Sequence, residues 1–158
     1  MSISPTLAAL AAERGLQKID FNNNPDVAAA YTGGHAGVPL LVARLDEPDR
    51  GYYLVPWQDQ RGVVLVVQVD ASSGEMSSAA VLPAPLPRIA MSPDEARRLV
   101  ETRLKQRVIG EPNLVWRPSH ESASPLQPFY HLAVEGGEAF VGVDGSVHRS
   151  LTPFGKGG

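Results

Sequence analysis

Apolar positions along the chain follow two rhythms. In residues 63–69, Val63, Leu65, Val67 and Val69 fall on one face of an extended segment and Val64 and Val66 on the other. A strand apolar on both sides belongs inside a sheet with each face covered. The runs at 38–45, 52–57 and 76–82 are short and apolar or alternating, and turn-forming pieces at 46–51, 58–62 and 70–74 separate them. This spacing predicts an antiparallel meander. Ahead of it, Ser4-Pro5 can cap and open a helix through Leu7, Ala8, Leu10 and Ala11 that Gly15 stops. Asn24-Pro25 predicts a second, brief helix over 26–31.

Pro83, Pro85 and Pro87 then interrupt the pattern. Three prolines in five residues forbid a helix and remove ladder donors, so this stretch reads as a stiff connector and the main boundary in the chain. Beyond it the rhythm becomes helical. Ser92-Pro93-Asp94-Glu95 has the form of a capping box. Ala96, Leu99, Val100, Leu104 and Val108 make one apolar stripe, with Asp94/Arg98 and Glu101/Lys105 pairs on the wet side, which predicts a helix over 93–109. Strands are expected at 114–117, 129–134, 139–143 and 147–151, with hairpin turns at Gly136-Gly137 and Asp144-Gly145.

The aromatic start and Val-rich middle of 52–70 recur at 129–144, which suggests a degenerate duplication with a period of about 75 residues. The expected fold class is therefore α+β, with two helix-plus-antiparallel-meander units packed together: an N-terminal unit at 1–86, a C-terminal unit at 87–152, and a flexible tail at 153–158.

Composition narrows the chemistry. Cysteine is absent, which excludes disulfides, thiolate nucleophiles and thiolate metal sites. A formal net charge of -3 argues against a phosphate-binding face, so nucleic acid is not expected as a partner. The N-terminus lacks an early positive charge and no run nears the ~20 apolar residues of a membrane span. A soluble, cytoplasmic protein is expected, a mature secreted form remaining open.

The string Val69-Asp70-Ala71-Ser72-Ser73-Gly74-Glu75-Met76 resembles the ending of PepSY-type domains, and Met91-Ser92-Pro93-Asp94-Glu95-Ala96-Arg97-Arg98-Leu99 resembles their opening helix. Each half carries one part of the signature, and Asp144-Gly145-Ser146-Val147 departs from it. The resemblance implies cystatin-like units and a noncatalytic protein that binds another, as an inhibitor of a protease or other enzyme. Small immunity proteins that neutralise bacterial toxins share a similar layout and supply a rival reading.

Candidate chemistry is sparse. None of His35, His120, His131 and His148 forms an i,i+4 ligand pair, and an intervening strand should separate His131 from His148, so neither metal nor cofactor is expected. No Gly-x-Ser-x-Gly elbow occurs, and Ser146 falls in a hairpin turn. The best binding clue is the aromatic set, and Tyr53, Trp57, Trp116, Tyr130 and His131 are the candidate contacts with a partner protein, reached by strand addition at an open edge. A small-ligand pocket between helix and sheet is the alternative, with His131, Tyr130 and Glu138 as first suspects.

Overall fold

The computed structural model describes residues 2–154. The chain divides into two compact units, Met1–Leu41 with Asp49–Ile89, and Val42–Pro48 with Ala90–Gly158.

In the first unit, α1 (Pro5–Gln17) and α2 (Pro25–Tyr31) precede β1 (His35–Ala36), β3 (Gly51–Asp59), β4 (Gly62–Asp70) and β5 (Met76–Leu86), while β2 (Leu40–Arg44) runs from this unit into the other. Ser4 starts α1 as read from the sequence, its hydroxyl accepting the Leu7 N–H at 3.2 Å. Ala8, Ala12 and Leu16 recur every four residues on α1 and are fully buried. They pack with Tyr53, Val55 and Trp57 of β3 and Leu65, Val67 and Val69 of β4, with Ala30 of α2 completing the cluster. Burying an aliphatic side chain of this size stabilises by roughly 1.5–3 kcal/mol, so this cluster holds the helices to the strands. Leu54 and Val66, on the opposite faces of β3 and β4, are also buried, as the two-sided apolar pattern predicts. Gly62 closes the β3–β4 hairpin at φ 122°, where a Cβ would stand 2.5 Å from the Leu86 carbonyl oxygen.

The second unit holds α3 (Pro93–Leu104), β6 (Val108–Trp116), β7 (Phe129–Val134), β8 (Gly137–Gly142) and β9 (Val147–His148). The Ser92 hydroxyl caps α3 by accepting from the Glu95 N–H at 3.2 Å. Tyr130 donates its hydroxyl proton to the Met91 carbonyl at 2.7 Å, tying β7 to the start of this helix. The long segment between β6 and β7 is ordered by its serines. Ser119 and Ser122 are buried, and the Ser122 hydroxyl lies within hydrogen-bonding distance of the Ser124 and Gln127 carbonyls at 3.1 and 2.9 Å.

The expected pair of matching helix-plus-meander, cystatin-like units does not form. The strands make a nine-stranded mixed sheet in the order β5-β4-β3-β2-β6-β7-β8-β9, with β1 on β3. What overturns the duplication is β2, which pairs in parallel with β6 through Ala43↔Val115 and Arg44↔Trp116. A parallel partner some 70 residues away leaves no local trace, whereas a meander reading assigns each strand to its chain neighbour.

Three boundaries move for physical reasons. The proline connector is instead the outer half of β5: an edge strand needs ladder donors on one side only, so Pro83 and Pro85 are tolerated. The helix predicted to 109 ends at Leu104, because Lys105 adopts φ 53° and Val108 enters β6. β6 therefore begins at Val108 rather than 114, and the register shift between Ile109 and Asn113 takes up Gly110 and Pro112. Of the predicted tail, 155–158 lie outside the described residues. Pro153 bridges to Ser119, and the Phe154 ring meets the His120 ring edge-on at 4.9 Å.

Candidate binding surface

The aromatic residues picked out from sequence are core residues, and the polar groups of Tyr53, Trp57 and Tyr130 are hydrogen-bonded. Tyr53 is 3% exposed, and its hydroxyl donates to the Ile3 carbonyl at 2.7 Å. Trp57 is equally buried, stacks on Tyr31 at 5.2 Å between centroids, and donates its indole N–H to the Tyr31 carbonyl at 3.2 Å. Trp116 lies buried with the Arg44 guanidinium 5.4 Å above its ring. That is a cation–π contact capping an aromatic which the neighbouring polar loop makes look like a rim residue. Tyr130 is buried beneath the start of α3. These side chains complete the interior of their own units and do not form a surface.

His131 differs. Its Nε2 lies 2.7 Å from Glu138 Oε2, with both side chains partly solvated, and its ring packs on Phe140 at 5.1 Å. The β7–β8 register sets Tyr130 opposite Val141 and His131 opposite Phe140, so alternation sends Tyr130 and His131 to opposite faces. Of the three residues suspected of lining a pocket, only His131 and Glu138 come together. Phe140 in turn faces His148, so β8 separates the two histidines as expected.

A polar arrangement beside β9 was not foreseen. Asp144 Oδ1 lies 2.6 Å from the Ser146 hydroxyl, which lies 3.0 Å from His148 Nε2. With the Ser146 hydroxyl donating to the Asp144 carboxylate, the His148 ring N–H donates to Ser146, the reverse of the order that activates a nucleophilic serine. The Ser146 hydroxyl, then its backbone N–H, hold the Asp144 carboxyl below the ordinary carboxylate range. Across a small cleft of about 70 Å³, Glu121 accepts from the Thr152 N–H and hydroxyl, which lower its pKa in that order. Asp144 closes its own turn, and Glu121 ties the segment after β6 to the segment after β9. Among the described residues no group of three or more His, Cys, Asp or Glu side chains could hold a metal ion.

The accessible feature of the first unit is the β5 edge. Its inner side pairs with β4 from Val69↔Met76 to Val63↔Leu86, and as the terminal strand its other side has no strand partner among the described residues. β5 carries no charged residue over its eleven positions, and most of them are exposed. Pro83 and Pro85 lack N–H groups, so residues 77–82 are the part able to accept a further strand. At the start of β5 opens a groove of about 580 Å³, lined by Ile3, Leu7, Leu10 and Ala11 of the α1 region and by Met76, which stands against Gly15. Leu7 and Leu10 are 53% and 40% exposed there, on the side of α1 turned away from its buried Ala8-Ala12-Leu16 stripe. The sequence signal for this groove was α1 itself, apolar on more of its circumference than one sheet contact needs.

No family model and no curated protein matches the chain, so the PepSY resemblance rests on the residues quoted for it. Among solved structures, the chain is similar to one called "putative lipoprotein" from Clostridium difficile 630, at 15% identity over 83% of this chain and 91% of that one, with a TM-score of 0.28. Among the described residues no helix is long and apolar enough to cross a membrane.

Proposed function

We propose that the protein is a noncatalytic binding module that takes up an extended segment of another protein as an added strand on β5. The observation that carries this reading is an eleven-residue terminal strand without a charge, where edges exposed to water are ordinarily blunted by charge, bulges or brevity. Its far half is blunted by Pro83 and Pro85 and by an irregular register between Val81 and Leu86, and a second irregularity lies between Met76 and Ser78, which leaves the middle of the strand regular. Six open residues span about 20 Å, enough for the main-chain hydrogen bonds of a short peptide, while alternate side chains supply selectivity. A module of this kind inhibits by occupying a segment its partner needs, which is compatible with either a protease or a toxin as the target.

Backbone methylation tests this directly. An octapeptide selected on the purified protein from a displayed random library is resynthesised in two forms, each N-methylated at one alternate set of amides. Strand addition uses one set of amides for pairing and points the other set away, so one form loses binding and the other keeps it. Equal affinity of the two forms would refute the proposal.

A further inference from the structure

Resting on the strand-addition reading, the groove beside β5 specifies the partner further. Arg14 and Lys18 line the groove on either side of Gly15, which stands against Met76 at the start of β5, the apolar floor continues along α1 toward Ile3 beside Gly74, and Glu75 also lines it. Both cations are exposed, and among the described residues neither has an ionic partner. The remaining lining residues, Gly15, Ser73 and Gly74, bring no charge. A peptide continuing past the open end of β5 thus meets two positive charges on the helix wall, with one carboxylate also lining the groove, and then aliphatic side chains.

We infer that the segment bound is acidic as well as extended: past its pairing with β5, an Asp or Glu held by Arg14 and Lys18, followed by apolar side chains seated against Leu10 and Leu7. A hydrocarbon chain with an anionic head fits less well, because the groove is open and leaves Leu7 and Leu10 half in water. An added strand covers them from the side while its backbone is satisfied by β5.

Solvated ion pairs of this kind are individually weak, and the two together favour an acidic end over a neutral one by about tenfold. The test selects octapeptides from a random displayed library on the wild-type protein and on the charge-reversed variant R14E/K18E, then measures Kd by fluorescence anisotropy for the Asp, Asn and Lys versions of the winning peptide. Expected are enrichment of Asp and Glu on wild type, enrichment of Lys and Arg on the reversed variant, and loss of the tenfold Asp-over-Asn preference in R14Q/K18Q, which keeps the fold if reversal disturbs it. Binding indifferent to peptide charge, an acidic preference that survives R14Q/K18Q, or displacement of the peptide by dodecanoate at lower concentration than by unlabelled peptide would overturn the inference. Recovery of no peptide from the library would overturn both this inference and the strand-addition reading. Charge preference in a peptide whose two N-methylated forms bind alike would remove strand addition and leave the groove as a side-chain site.

Discussion

Replacing Gly15 by alanine tests how α1 is seated on β5, and two effects of known sign oppose each other there. On an exposed helix this substitution stabilises, because glycine loses more backbone entropy and has the poorer helix propensity, by up to about 1 kcal/mol. At Gly15, however, a Cβ would lie 2.7 Å from both Met76 Cβ and Met76 Sδ. Carbon atoms in good contact sit about 3.5–4.0 Å apart. The thioether can swing aside, but Met76 Cβ is fixed to the strand backbone, so the helix itself must shift by nearly 1 Å. Overpacking of this kind costs about 1–3 kcal/mol, which exceeds the propensity gain. The expected result for Gly15→Ala is a net loss of about 1–2 kcal/mol, seen by scanning calorimetry as a fall of roughly 2–8 °C in Tm. A rise in Tm would show that α1 does not lie against β5 at this point, and the groove between them would lose its wall.

Ser92→Ala should cost about 1 kcal/mol in urea unfolding, because it orphans the Glu95 N–H at the start of α3, while Ser92→Asp should restore most of it. Asp70 accepts the backbone N–H groups of Ser73 and Ser72 at 2.7 and 2.8 Å, and the Ser73 bond foremost keeps its carboxyl below the usual range. A carboxyl with a depressed pKa in the folded protein contributes stability above its unfolded value and loses it as pH falls through the folded value. Asp70→Asn should thus be less stable than wild type at pH 7, with the gap closing as the pH drops below about 4; a gap constant with pH would contradict the assignment. In Trp116→Phe, Trp57 is the remaining tryptophan, and its fluorescence should resist iodide quenching until the protein unfolds. Ready quenching in the folded state would return Trp57 to the surface.

Local signals in this chain were legible and pairings across it were not. Ser4 and Ser92 cap their helices as the residue pattern says, since a cap depends only on atoms within one turn. The two-sided burial of β4 follows from an unbroken aliphatic run. The parallel pairing of β2 with β6 is set by packing between distant segments, and the residues of β2 alone carry no mark of it. The prolines of β5 were misread for a related reason: whether proline is compatible with a strand depends on which side lacks a partner, a property of the sheet. Trp57 and Trp116 adjoin polar loops in sequence, yet Tyr31 and Arg44 cover them from elsewhere in the fold. Arg14 and Lys18 drew no notice because charges near the end of a helix are ordinarily solvated; only the position of α1 beside an open strand gives them an apolar groove to guard.

Amide hydrogen exchange of the protein bound to a selected octapeptide tests residue by residue whether β5 is a template for a foreign strand. Amides facing outward within residues 77–82 should slow by at least tenfold on binding, while those of the short β9 edge keep their free rates. Protection confined to other segments, with residues 77–82 exchanging as in the unbound protein, would contradict it.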